Sequence, residues 1–123
     1  MIDQKVSEMN RWLDEKTAMC SKRNQELNED GRADEAIFEK VKANIYDVFR
    51  TVLSVAVKTG NGNPDAVQTF FVQRAEQIPA GWAAALEKAK AHHDIARIQT
   101  EQIKLDTRSE IRKEFDRIRE GAE

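Results

Sequence analysis

The chain has 123 residues, of which 34% are charged and 40% hydrophobic, and its formal net charge is −2. This length suits one domain with its own core. The near-neutral charge disfavours a general polyanion binder, because such domains usually carry a clear basic excess. With a single cysteine, Cys20, no internal disulfide can form, so we expect a reducing, cytoplasmic location. The sequence contains no apolar run of 18 residues and no apolar signal core near its start, so we expect neither membrane insertion nor export.

Helix-breaking residues are confined to a few places in the chain. They are Gly31, the run 60–64, the run 79–81 and Gly121. The segments between them predict four helices, over 3–30, 32–59, 64–77 and 80–120. We therefore predict an all-α protein with one domain, 1–123. Its fold would be an up-down four-helix bundle with a long N-terminal hairpin, a short third helix and a long C-terminal helix.

The first helix has a broken apolar stripe, because Lys16 and Arg23 occupy core-type positions. The apolar members are Ile2, Val6, Met9, Leu13, Cys20 and Leu27. At its end, Gly31 is free to adopt the left-handed backbone of a tight turn. The third helix opens with Asn63 as its N-cap and Pro64 at its first position.

The second helix contains the stretch NIYDVFRTVLSVAVKTG, residues 44–60, which is too apolar for an ordinary surface helix. Its polar residues fall on one narrow strip: Asp47, Arg50, Thr51, Ser54 and Lys58. A β-strand is the rival interpretation of this segment, since TVLSVAV is rich in β-branched residues, but no second strand is evident to pair with it. We therefore predict a central helix that neighbours contact from more than one side.

Helix lengths suggest that part of this central helix lacks cover. At 1.5 Å per residue the four helices would measure about 40, 40, 21 and 60 Å, so the short third helix cannot span the second. We predict that a second copy covers part of Val48, Val52, Val55 and their neighbours, making a homodimer. The predicted contact surface comprises Tyr46, Phe49, Leu53, Ile103, Lys104, Arg108, Ile111, Arg112, Phe115 and Ile118.

The C-terminal helix carries two charge stripes with a four-residue repeat. One is basic and the other acidic: Lys104, Arg108 and Arg112, then Asp106, Glu110 and Glu114. Each stripe could face a complementary stripe on a packed helix. Alternatively, the helix is solvated, and pairs three residues apart, such as Glu110–Lys113 and Glu114–Arg117, offset the repulsion. The pattern itself does not choose between these two interpretations.

Nucleic-acid binding is an alternative function for the same helix. Seven basic residues support it: Arg97, Lys104, Arg108, Arg112, Lys113, Arg117 and Arg119. Six acidic residues are interleaved with them, whereas phosphate binding needs an uncompensated basic patch. We therefore do not expect a nucleic-acid partner.

Candidate metal and phosphate sites lack decisive ligands. His92 and His93 point about 100° apart on a helix, so we expect a solvent-facing His92 and a core-edge His93. A calcium loop centred on Gly31 would have Ile37 in place of its bidentate glutamate. The segment KTGNGNPDA lacks the residue order of a phosphate loop. We expect no metal or cofactor; a ligand- or metal-binding bundle near His93, Trp82 and Trp12 is the competing interpretation.

Catalysis is not expected either. Cys20 has no histidine nearby in sequence to act as its base, and no Ser, His and Asp set has a spacing that argues for nucleophilic chemistry. We predict a non-enzymatic protein–protein interaction module that self-associates through helix two and the C-terminal helix.

Overall fold

The computed structural model describes residues 2–121, with side chains from Gln4 onward, and its all-α character confirms the predicted fold class. The described residues form α1 (Ile2–Glu29), α2 (Ala33–Gly60), α3 (Pro64–Gln77), α4 (Pro79–Ala91) and α5 (Ile95–Glu120). The closest packing is between α1 and α2, α2 and α3, α4 and α5, and α2 and α5. The side chain of Ile2, a member of the predicted α1 stripe, lies outside the described residues.

The α1–α2 hairpin closes at Gly31, as its sequence predicts. Gly31 has a left-handed φ of 72°. The backbone N–H of Arg32 donates to the carbonyl of Leu27 at 2.8 Å, which satisfies one of the free carbonyls at the end of α1. Farther along, Arg50 of α2 pairs with Asp14 of α1 at 2.6 Å, so the two helices run antiparallel.

The α2–α3 connection brings two helix ends very close together. Asn63 caps α3, because its side-chain oxygen accepts from the N–H groups of Asp65 at 2.9 Å and Ala66 at 3.2 Å. A Cβ placed on Gly60 would lie 2.7 Å from Cγ2 of Val67. Only glycine therefore fits the last position of α2 without displacing α3.

The expected helix over 80–120 is wrong, because the chain turns back between α4 and α5. His93 has a left-handed φ of 57°. The N–H of Asp94 closes α4 by donating to the carbonyl of Ala89 at 3.0 Å, and the Asp94 carboxylate caps α5 by accepting from the N–H of Arg97 at 3.2 Å. The break falls among polar residues, whereas the helical spacing of Ala89, His93 and Ala96 runs straight through it. The last helix thus measures about 39 Å rather than 60 Å.

The core lies where α1, α2, α3 and α5 meet. The rings of Phe71 and Phe115 stack with centroids 4.1 Å apart and planes 16° apart, and Phe49 packs against Phe71 at 6.0 Å. Met9 and Leu13 of α1 complete this buried cluster. The inner side of α2 is therefore covered by helices of the same chain.

Candidate interaction surface

Most of the predicted contact surface lies inside the single chain. Six of its apolar residues are buried: Tyr46, Phe49, Leu53, Ile111, Phe115 and Ile118. The physical reason is that α5 lies beside α2, so the apolar faces of these two helices cover each other and meet α1 and α3. The prediction of an exposed surface at these six residues is therefore not met, and any contact between copies must use another face of α2.

The four other members of the predicted surface lie toward the rim of α5. Ile103, Lys104, Arg108 and Arg112 are all partly exposed. Lys104 pairs with the buried carboxylate of Glu101 at 3.2 Å. Arg112 reaches across to Glu76 of α3 at 3.0 Å. The first of these ion pairs lies within α5, and the second joins α5 to α3.

Most charged residues in the stripes of α5 form ion pairs within the chain. Arg117 pairs with Glu114 at 2.6 Å and with Glu8 of α1 at 3.1 Å. Arg97 joins Lys104 at the carboxylate of Glu101, at 3.2 Å. The structure combines the two interpretations: Glu114–Arg117 is a pair three residues apart, whereas Arg117 and Arg112 also reach carboxylates on packed helices. Among the described residues Arg108 and Lys113 are the members of the basic set without an ion pair, which leaves little uncompensated basic charge for phosphates.

An uncharged strip of α2 faces away from the core. We call it the outer stripe: Ile37, Val41, Asn44, Val48, Thr51 and Val55. Ile37 is 55% exposed, Val48 37% and Val55 41%, which places three large apolar side chains in water. Exposed apolar residues arranged on one face mark contact sites more often than scattered ones do.

The outer stripe has the spacing of a helix–helix seam. Its members follow one another at steps of four and three, and its valines recur every seven residues, at 41, 48 and 55. In this heptad the three valines occupy a positions and Ile37, Asn44 and Thr51 occupy d positions, the pattern that packs against a partner helix. Lys40 and Asp47, both exposed, flank the seam at g positions.

The three valines that the sequence predicts to be covered partly by a second copy, Val48, Val52 and Val55, differ in their exposure. Val52 is buried by the chain itself, whereas Val48 and Val55 remain exposed. The solvent-facing side of α2 is wider than the polar strip predicted from the sequence. Because α2 is apolar around most of its circumference, its apolar content alone does not show which side faces the core. The seven-residue recurrence of valine was the pattern that could have located the outer stripe.

On the side of α2 opposite the outer stripe, a polar cluster lies at the edge of the buried core. The hydroxyl of Tyr46 donates to the carboxylate of Glu110, which also pairs with Lys16 at 3.5 Å. Burial and the neighbouring Glu110 carboxylate raise the pKa of Tyr46 well above its ordinary value. Burial, followed by the Glu39 carboxylate, raises the pKa of the Cys20 thiol to about 11. Both groups are therefore neutral at physiological pH.

The histidines lie in the α4–α5 turn and not on a helix face. Both His92 and His93 are exposed, so the expectation of a core-edge His93 is wrong, because the helix ends two residues before it. Across residues 4–121 no three His, Cys, Asp or Glu side chains are grouped to hold a metal ion. None of the helices α1–α5, as far as they are described, combines the length and apolar character needed to cross a bilayer.

Comparison with protein-family models, with curated proteins and with solved structures finds no match to this chain. Side-chain geometry is therefore the basis for proposing a function.

Proposed function

We propose that this protein is a self-associating interaction module in which the outer stripe of α2 packs against the outer stripe of a second copy. The observation that carries the proposal is the exposed, uncharged heptad of α2, with valine at three successive a positions. One residue in three of the whole chain is charged, yet none of the six residues in this stripe is.

The flanking charges favour a second copy as the partner. Lys40 and Asp47 have opposite signs and lie seven residues apart on the same edge of the stripe. In an antiparallel pair the g positions of the two helices face each other, so Lys40 of each copy meets Asp47 of the other and the contact forms twice. Lys40 has no carboxylate partner among the residues that the structure describes, which leaves it available for this contact. Asp47 pairs with Arg50 of its own helix at 2.5 Å, so its carboxylate would be shared between Arg50 and Lys40 of the other copy.

This pairing fixes a register along the seam. When Lys40 lies beside Asp47 of the partner helix, Ile37 packs opposite Val48 and Val41 opposite Asn44 of the other copy. The proposal thus specifies both the direction and the alignment of the two helices.

The length of the seam sets the expected strength. In this register the two stripes overlap from residue 37 to residue 48, about 17 Å or roughly three turns of each helix, and Thr51 and Val55 extend beyond the paired part. A contact between single helices of this length buries less than the roughly 800 Å² per partner of a standard stable interface. We therefore expect reversible association with a dissociation constant of about 1–100 μM.

The proposal also assigns the protein no reaction of its own and a reducing, cytoplasmic setting. The setting is supported by the single cysteine, which cannot form an internal disulfide. The raised pKa of the Cys20 thiol keeps it from acting as a thiolate nucleophile. Its burial keeps it from oxidants. Measurable turnover of a substrate dependent on Cys20 would contradict this part of the proposal.

Sedimentation equilibrium over a range of concentrations tests the self-association. The average mass of the wild-type protein should rise from one chain toward two as the concentration increases. Val48→Lys places a charge against Ile37 of the partner in both symmetric contacts and should hold the mass at one chain. Ala84→Lys adds the same charge on an exposed position of α4 and should associate like the wild type. A wild-type mass of one chain throughout, or equal behaviour of the two variants, would refute the proposal.

A charge exchange tests the antiparallel register separately. Lys40→Glu places like charges opposite each other in both symmetric contacts and should weaken association by about 0.5–2 kcal/mol in total. Adding Asp47→Lys reverses both signs and should restore much of the loss. Failure of the second substitution to restore association would exclude this register while leaving the seam itself in place.

A further inference from the structure

A groove opens on the side of α2 opposite the outer stripe. Its volume is about 680 Å³, within the range of pockets that hold small molecules. The groove lies where the N-terminal half of α5 passes the α1–α2 hairpin without closing against it. Ile103 and Thr107 of α5 face Cys20 of α1 and Tyr46 of α2 across it.

The floor of the groove is built from buried polar side chains. The described part of the chain buries three polar or charged side chains, Glu39, Glu101 and Thr107. Two of these, Glu39 and Thr107, line this groove, beside the buried thiol of Cys20 and the ring of Tyr46. Both have partners within the chain, because Lys42 pairs with Glu39 and the hydroxyl of Thr107 donates to the carbonyl of Ile103 at 2.7 Å. The groove therefore has a polar floor whose hydrogen bonds are already formed.

With one exception, the charged side chains around the groove have partners within the chain: six form ion pairs, and Asp106 has a neutral hydrogen-bond donor. Arg32 pairs with Glu35 at 2.6 Å, Lys42 pairs with Glu39 at 3.3 Å, and the Lys16–Glu110 pair described above closes one end. On the α5 wall, Asp106 accepts a hydrogen bond from Gln102 at 2.9 Å.

Arg23 is the exception. It lines the groove but has no ion pair or hydrogen bond with any residue that the structure describes. An unpaired guanidinium at the mouth of a cavity offers a fork of donors suited to a carboxylate.

Apolar side chains line the rest of the walls. Met19 and Leu27 of α1, Phe38 of α2 and Ile103 of α5 flank the space beyond Arg23. Met19 is 52% exposed and so accessible to a molecule in the groove. A molecule in this space would meet a cation at one end and hydrocarbon along its length.

We propose that the groove binds a small organic carboxylate with an apolar body, which pairs its carboxylate with Arg23 and lays its hydrocarbon part against Met19, Leu27, Phe38 and Ile103. The proposal is independent of the self-association, because the groove and the outer stripe lie on opposite sides of α2. An occupant would also bridge the α1–α2 hairpin and α5, so binding should stabilise the folded chain.

Octanoate serves as the probe, and octylammonium as its matched control with the same hydrocarbon tail. Backbone amide shifts of the wild-type protein are recorded by NMR while each compound is titrated to millimolar concentration. Octanoate should shift the amides of Cys20, Glu39 and Thr107 with saturation, and octylammonium should bind there at least about fivefold more weakly. Equal binding of both compounds, or no saturating shifts at these amides, would overturn the proposal.

Substitution of the proposed anchor completes the test. Arg23→Gln should weaken octanoate binding about two- to fivefold, the loss expected for an exposed charged hydrogen bond. Arg11→Gln removes the same charge from an exposed position of α1 outside the groove and should leave binding unchanged. Equal weakening by both variants, or shifts confined to the outer stripe at 41, 48 and 55, would count against the groove. Neither of these results would bear on the self-association.

Discussion

Truncation of Phe115 tests whether this residue lies in the core of the chain or in an interface between copies. Phe115 is 7% exposed and stacks on Phe71 with centroids 4.1 Å apart. Phe115→Ala removes this stacked ring and leaves a cavity in the core, because the surrounding helices can relax only partly. Substitutions of this kind cost about 3–5 kcal/mol of unfolding free energy. In a domain of this size the loss corresponds to a melting temperature lower by about 10–20 °C.

Urea unfolding at low protein concentration measures this loss without a contribution from association. The midpoint of Phe115→Ala should fall while the slope of the transition stays the same. Lys113→Ala, on an exposed position two residues away, should remain within about 0.5 kcal/mol of the wild type. An unchanged midpoint together with a lower oligomer mass would show that Phe115 faces a partner and that the core is assigned wrongly.

Three further predictions concern backbone geometry and pH. Gly60→Ala should lower the free energy of unfolding by about 1–3 kcal/mol in thermal unfolding, because the added methyl group would lie 2.7 Å from an α3 side chain. Gly81 has open space around it, so Gly81→Ala should raise the free energy of unfolding by about 0.5 kcal/mol. Absorbance titration of the Cys20 thiolate should give a midpoint near pH 11. Because folding raises this pKa, the free energy of unfolding should fall between about pH 9 and 11. A midpoint near pH 9 would contradict the burial of the thiol. His93→Gly should stabilise by about 0.5–1 kcal/mol by relieving a left-handed φ of 57°, and His92→Gly should not, as calorimetry can check.

Local signals in the sequence located the turns whose chemistry is unambiguous. Gly31 adopts the left-handed backbone expected of it, and Asn63 with Pro64 begins α3 as their residue types predict. The break at His93 and Asp94 was not predicted, because histidine rarely adopts the left-handed φ that ends a helix. Asp94, the N-cap of α5, follows this histidine directly. The apolar spacing also continues through the turn, so periodicity alone could not reveal it.

The contact surface could not be located from the sequence for a different reason. α2 is apolar around most of its circumference, so apolar content does not tell which side meets the rest of the chain. Tyr46 and Phe49 face inward because α5 lies against them, a long-range packing choice that local patterns do not encode. Val48, one or two residues away from both, remains exposed. Only the seven-residue recurrence of valine distinguishes its face in the sequence.

Contact between outer stripes can be observed directly. A sample mixing ¹³C-labelled and unlabelled chains, at a concentration where the protein is dimeric, gives NOEs filtered for contacts between copies. The antiparallel register predicts such NOEs between the methyl groups of Val48 in one chain and Ile37 in the other. NOEs between copies that arise only from residues outside the outer stripe would contradict the central claim, as would their absence in a sample whose mass is that of a dimer.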